Sequence, residues 1–334
     1  MAITLAMAKV NAQDDVDFTV IDEFRKSSFL LNALTFDDCV SPGTNGATLT
    51  YGYTRHTTER GASSRQINTE YTPDEAQRQR YTVDLVPFGG AFSIDRVIAN
   101  LGNAATNEVT YQMQQLVKAA VAKFHDESIN GTAADFSQSA PGFDGLANLL
   151  SGGPTEKTAE QAWDADSIGV NSSAAAHKAL DELDEWMDTL DGTPDVLISG
   201  DKGIARLRSL ARRAEYYARE RDEFGREVET YRGIPFVNLR EKPGSSSPII
   251  GTANGSTDLY AVRFGLDALH GVSVAGSNLV RTWLPDFSTA EAVKKGEVEL
   301  GPVAVVLKRS RAAGVLHVQV EPEASSSAGS SSAG

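Results

Sequence analysis

The chain has 334 residues, 31 basic and 45 acidic side chains, and a formal net charge of -14. Hydrophobic residues at 41% and charged residues at 23% exclude whole-chain disorder. The acid excess argues against a protein that coats nucleic acid by neutralising phosphates. The single cysteine, Cys39, excludes an internal disulfide and a thiolate metal cluster. No apolar run approaches the roughly 18 residues of a membrane span. The opening MAITLAMAKVNAQDDVDF lacks the basic flank of a signal peptide. The expectation is a soluble, acidic protein made in the cytosol, with about two domains.

Phe18, Ile21 and Phe24 have helical spacing, and Phe29–Leu34 is an apolar patch. Too small for a core, residues 1–43 are read as an N-terminal arm that packs on another surface. Residues 48–53 (TLTYGY) and 81–87 (YTVDLVP) are rich in strand formers. Between them, 54–80 holds Arg55, Arg60, Arg65, Arg78 and Arg80 but hardly any apolar side chain. A structureless loop of that length is improbable in a compact domain. A long hairpin projecting from the body is the better explanation.

Residues 94–129 predict a long helix. Val109, Met113, Leu116, Val117, Ala120, Val121 and Phe124 form one stripe. Thr106 is a candidate cap, Asn130-Gly131 a stop, and Gly102-Asn103 a kink or the end of a separate short helix. From 142 to 280 the pattern mixes helices and strands. FDGLANLL is a short helical turn, and 172–190 an acidic helix with Ala176, Leu180, Leu183 and Met187 on one face. Residues 194–199, 233–239 and 257–265 are strands, and a helix begins at Asp201. Arginines and acids interleave over 206–232, read as a helical stretch for ion pairing. The closing VRTWLPDF, VELGPVAVVLKRS and GVLHVQVEP are strand-like and need partners. The simplest solution pairs them with 85–95 beneath the long helix, so that 142–280 is inserted between two parts of one domain. Residues 325–334 are SSSAG twice, so 323–334 is set aside as a flexible Ser/Ala/Gly tail.

His56, His125, His177, His270 and His317 are scattered without metal-ligand spacing. Cys39 sits beside Asp37 and Asp38, which would raise its pKa, so a small buried side chain is favoured over a nucleophile. Phosphate-loop and G-x-S-x-G patterns are missing. An anion at the helix start in Gly200-Asp201-Lys202-Gly203 would be repelled by Asp201. The acids of 172–190 are spread rather than converged, a solvated face more than a glycosidase pair. No catalytic, cofactor-binding or metal residue is assigned, and the census favours a structural protein over an enzyme.

The feature order is an arm, a polar hairpin, a long helix, an inserted α/β domain and returning strands. It resembles the major capsid proteins of tailed bacteriophages with the Hong Kong 97-type fold. The stretches PGFDGLANLL, RGIPFVNL and RTWLPDF…GEVEL…VAVVLKRSRAA are also similar. The resemblance implies an α+β fold. Its parts are an arm (1–43), an extended loop (44–90), a peripheral domain with a spine helix (91–141 and 281–322) and an axial domain (142–280). It implies self-assembly into hexamers and pentamers of an icosahedral head enclosing double-stranded DNA, built in the host bacterial cytoplasm and resident in the virion. Implied partners are copies of the chain, a separate scaffolding protein, a portal and a decoration protein. Packaged DNA is touched only weakly, and no membrane is involved. Arg55, Arg60, Arg65, Arg78 and Arg80 become inter-subunit contacts. Some members of that family join neighbours by an isopeptide bond from an extended-loop lysine to an asparagine. Residues 44–90 contain no lysine, so no such crosslink is expected. The short stretch before the loop implies no fused scaffold, or a mature chain. An encapsulin-type shell around enzyme cargo remains an alternative with the same fold. A carboxylate-dependent hydrolase in 142–280 is the rival of another class.

Overall fold

The computed structural model describes residues 29–40, 46–99, 103–134, 141–168, 173–213, 217–221, 227–276 and 278–322. Most of the expected N-terminal arm and all of the Ser/Ala/Gly tail lie outside the described residues. A one-turn helix, α1 (Phe29–Ala33), buries Leu30 and Leu31 and leads into β1 (Phe36–Cys39). β2 (Thr50–Thr58) and β3 (Gln77–Asp84) are the two sides of an antiparallel hairpin, with Tyr53 opposite Tyr81. β4 (Val86–Asp95) turns Val86, Phe88, Phe92 and Ile94 inward at a period of two.

α2 (Arg96–Ala99) is a separate short helix before the long α3 (Asn103–Asn130). Thr106 lies inside α3 rather than capping it, because the helix already starts at Asn103. Val109, Met113, Val117, Ala120, Val121 and Phe124 are buried, and α3 lies across β4 and the later strand over Val293–Leu307. That stripe drives the packing, since buried apolar area contributes about 25 cal/mol per Å².

Next come α4 (Leu146–Leu150), β5 (Glu156–Thr158), α5 (Ser173–Asp188), β6 (Val196–Ser199) and α6 (Asp201–Arg213). The helical pattern expected to run on towards 232 stops at Arg213. Instead β7 (Tyr217–Arg221) and β8 (Glu227–Tyr231) form a hairpin, followed by β9 (Ile234–Val237). Alternating β-formers in EVETY favour the strand, and the buried Tyr231 anchors it by donating its hydroxyl to Asp184 at 3.0 Å. β10 (Ser256–Val262), β11 (Leu269–Val274), β12 (Val280–Trp283) and β13 (Val293–Leu307) lead through a 3₁₀ turn to β14 (Ala313–Gln319).

Among the described residues the strands make three sheets. One is the β2–β3 hairpin. Another has the order β5-β14-β10-β6-β9-β8-β7. The third is organised by the long β13, which carries β4 along one side and β12 and then β11 along the other. β1 adds in parallel to β11, with the Phe36 ring laid over Gly271, where a Cβ would sit 2.5 Å from the ring. The β13–β4 register shifts between Leu300 and Val303, and Gly301 there takes φ +100, a conformation that only glycine adopts cheaply.

The sheets divide the chain differently from a break at residue 281. β14 inserts between β5 and β10 of the seven-stranded sheet, whereas β11 leaves that region to join β13 and β1. The reason is burial on two faces. Leu316 and Val318 point to the core under α5 and α6, and Val315 points to the opposite core. A strand covered on both sides belongs in a sheet interior. The same alternation splits β6 and β10. Leu197, Leu259 and Ala261 join the α5–α6 core, while Val196, Ile198, Tyr260 and Val262 join the larger core that continues to α3, Phe143 and β13.

Candidate inter-subunit surface

The β2–β3 hairpin has a seated root and an unsupported tip. Along the root, Tyr51, Tyr53 and Arg55 alternate inward on β2, and Tyr81 and Val83 answer them on β3. Tyr53 and Tyr81 stack with centroids 5.6 Å apart. The Arg55 guanidinium lies 5.4 Å and 4.8 Å from their ring centroids. Its Nε donates to the Lys308 carbonyl at 2.8 Å and its Nη2 to the Leu307 carbonyl. Tyr53 also donates to the Leu307 carbonyl, at 3.3 Å, and Tyr51 to Asp37 Oδ2 at 2.8 Å. The root therefore clamps onto the end of β13 and onto β1.

From His56 to Arg80 every residue is exposed. Local bonds shape the tip. Gly61 donates its N–H to Asp74 at 3.0 Å, and Arg65 donates to the Gln66 and Thr69 carbonyls at 3.2 and 3.0 Å. Arg65 lies 5.4 Å from the centroid of Tyr71. Ile67 is 89% exposed and Tyr71, apart from Arg65, 60% exposed, so the tip presents apolar surface outward.

The five arginines assigned to this surface thus separate. Arg55 is occupied within its own chain. Arg60 and Arg65 belong to the exposed tip, Arg78 pairs across from His56, and Arg80 lies over Gly52.

A second exposed apolar surface is the turn joining β12 to β13. Trp283, Leu284 and Phe287 are 47%, 42% and 43% exposed. The turn is held from beneath by Lys294, which is buried and whose ammonium donates to the Thr289 carbonyl at 2.8 Å, Thr289 Oγ1 at 2.6 Å and the Ala290 carbonyl at 3.2 Å. Asp286 accepts from the Ser288 N–H and hydroxyl, which hold its carboxyl below the usual carboxylate range. The sequence pattern makes VRTWLPDF strand-like throughout, but the strand ends at Trp283 and Leu284–Phe287 open the turn. The signal available was its composition, with W-L-P-D-F apolar side chains where a turn is ordinarily polar.

Several of the remaining charges are answered within the chain. An open cleft of about 640 Å³ lies between Thr54–His56, Asp188–Asp191 and Lys308–Arg311. In it Arg309 reaches Asp191 at 2.6 Å and Asp267 at 3.6 Å. The Arg309 hydrogen bond holds the Asp191 carboxyl below its usual range. The acids of α5 are not all solvated. Glu182 is buried and accepts the Gln161 N–H at 3.1 Å, and Asp184 takes Tyr231 and, at 3.0 Å, Arg232. Cys39 is buried, with its thiol pushed up by burial and then by Asp37. Among the described residues no group of three or more His, Cys, Asp or Glu is placed to hold a metal ion. No described helix is long and apolar enough to cross a membrane.

No family model matches the chain, and no curated relative does. Solved structures do match over nearly the full length. One is the holo-SrpI encapsulin complex from Synechococcus elongatus PCC 7942, at 17% identity, covering 95% of this chain and 94% of that one, TM-score 0.54. The capsid of an empty GTA particle is similar at 10% identity, 93% and 94% coverage and TM-score 0.54. A structure from Mycobacterium phage Bobi matches at 14% identity, 92% coverage of each chain and TM-score 0.52. At these identities the likeness is one of fold. The chain has the α+β Hong Kong 97-type fold shared by tailed-phage capsids and encapsulin shells.

Proposed function

We propose that the chain is the major capsid protein of a tailed phage, a structural subunit rather than an enzyme. In this reading, hexamers and pentamers of one chain close into an icosahedral head around double-stranded DNA, assembled in the bacterial cytoplasm and resident in the virion. The observation that carries the reading is the hairpin from His56 to Arg80, wholly exposed and useless to an isolated chain. Laid on a neighbouring copy, the same surface becomes an interface. Its arginines Arg60, Arg65, Arg78 and Arg80 meet acids there, each exposed pair contributing about 0–1 kcal/mol. Ile67 and Tyr71 supply the apolar part. Many weak heterologous contacts repeated around closed symmetry make a shell. In such a shell the sheet on β13, with α3 as spine, forms the peripheral part and the seven-stranded sheet the axial part.

Electron microscopy of the purified protein tests the reading. Closed shells or hexameric rings are expected, and discrete small particles overturn it. The encapsulin match supports a second reading, a shell around enzyme cargo. The contents of purified particles, DNA or protein, separate the two. A scaffolding protein, portal and decoration protein are further expected partners of a phage head, to be sought by co-purification. Denaturing gels of assembled particles should show single chains, since 44–90 offers no lysine for a covalent ladder.

A further inference from the structure

Beneath the seated root of the hairpin lies a fully buried imidazole. His270 on β11 is 0% exposed, and neither ring nitrogen meets a partner at hydrogen-bond geometry, although the Ala268 backbone lies close. Its ring stands edge-on to Tyr51 of β2, centroids 5.9 Å apart at 73°. The groups around this contact come from every side. Asp37 and Cys39 approach from β1, and Asp37 already accepts the Tyr51 hydroxyl. Lys308, at the end of β13, sits 5.4 Å from the Tyr51 centroid and 3.7 Å from Asp37. Arg55 continues along β2 onto the Lys308 carbonyl.

A buried neutral imidazole costs one unmet donor, whereas an imidazolium here would carry two donors and a charge beside the Lys308 ammonium. Two escapes exist, and both cut Tyr51 loose. Either the root lifts and water reaches the ring, or Asp37 turns from Tyr51 to the new cation.

We propose that His270 is a proton-sensitive latch for the extended loop: neutral, it lets Tyr51 seat the hairpin on the body, and protonated, it releases the root. This rests on reading the loop as the element that meets neighbouring subunits, and it makes loop orientation, and so subunit contact, responsive to acid. The sign follows from the site. Burial, and then Lys308, hold the His270 pKa below its ordinary 6.5. The released state therefore takes up the proton first. Seating is complete above about pH 6.5 and weakens as pH falls below it.

The test is hydrogen exchange, read by mass spectrometry, on the purified full chain between pH 7.5 and 5, corrected for intrinsic exchange chemistry. Peptides covering 50–55 and 79–84 should lose protection by up to about tenfold per pH unit below 6.5, the limit for one proton. His270→Phe keeps an aromatic edge against Tyr51 and should flatten that response. Lys308→Gln removes the repelling ammonium, brings the seated-state pKa closer to that of the released state, and should make the response smaller without moving its onset. His125→Phe changes the other buried histidine and should leave the response as in wild type. A wild-type root with no pH response, or a His270→Phe root that keeps it, overturns the latch. Shells that form without any response at the root remove the latch alone. A pH-dependent root on a chain that never assembles upholds the latch and removes the shell reading.

Discussion

The hairpin and the seven-stranded sheet use the same strand geometry towards opposite ends. In the sheet, β6, β10 and β14 bury side chains on both faces, so every turn of the pleat gains packing. In the hairpin, only Tyr51, Tyr53, Arg55, Tyr81 and Val83 lean on the body, and everything from His56 to Arg80 faces water. One region is stable by itself. The other is stable at its root and otherwise complete only against a second molecule. The contrast teaches that stability and assembly are located in different residues of this chain, and substitutions can separate them.

The largest loss of stability should come from the sheet's core. Trp186 is 1% exposed and donates its indole N–H to the Thr155 carbonyl at 3.0 Å, packing α5 over β14. Trp186→Ala leaves a large cavity and removes one of the two donors to the Thr155 carbonyl, which keeps the Val315 N–H, and should cost about 3–5 kcal/mol in urea unfolding. If it cost as little as a hairpin-tip substitution, the sheet would not be the self-sufficient region.

At the hairpin root the same kind of truncation should cost less. Tyr53→Ala removes the stack on Tyr81, one of the two rings beside the Arg55 guanidinium and a bond to the Leu307 carbonyl. About 2 kcal/mol is expected. Locally that is about a thirtyfold drop in amide protection across β2 and β3, with the seven-stranded sheet unaffected.

A smaller effect, with a pH signature, belongs to the sheet. His317 on β14 bonds Asp258 on β10 at 2.6 Å and Glu156 on β5 at 3.1 Å. Burial lowers its pKa, but the bonds to Asp258 and Glu156 outweigh burial and the net direction is up. The folded state therefore holds its proton longer than the unfolded chain. Its contribution is full below pH 6.5 and is lost as pH rises through the folded value, the reverse of His270. The site is partly exposed, so less than about 1 kcal/mol is expected. Urea midpoints of wild type and His317→Gln should differ at pH 5.5 and converge at pH 8.5.

Much of this contrast was legible in the sequence. The Val109-to-Phe124 stripe fixed a helix lying on a sheet, and the lack of apolar residues over 54–80 marked a projecting hairpin. The alternation Tyr51, Tyr53, Arg55 could also have shown that Arg55 faces the body with the two tyrosines, since every second side chain shares a strand face. What could not be read was long-range pairing. GVLHVQV alternates identically whether it joins β10 or β13, and only competition between two cores decides. The apolar W-L-P-D-F composition marks the β12–β13 turn as a surface, but its rigidity could not be read, because that comes from Lys294, whose burial is a property of the folded turn.

The least costly change for stability should be the most costly for assembly. Replacing 60–76 by two glycines removes Arg60, Arg65, Ile67 and Tyr71 together but touches no buried side chain. The urea midpoint should stay within about 0.5 kcal/mol of wild type, as for surface substitutions away from any packed feature. Shells should be lost from electron micrographs. A milder version tests the apolar part alone. Ile67→Ser keeps every arginine and should weaken assembly while leaving unfolding unchanged, because Ile67 is 89% exposed and packs into no core. Trp283→Ser, on the second exposed apolar surface, makes the parallel case, since Trp283 ends β12 beside a turn that Lys294 holds independently. A tip deletion that assembled normally would mean that the hairpin is not the contact, and the β12–β13 turn would become the surface to pursue.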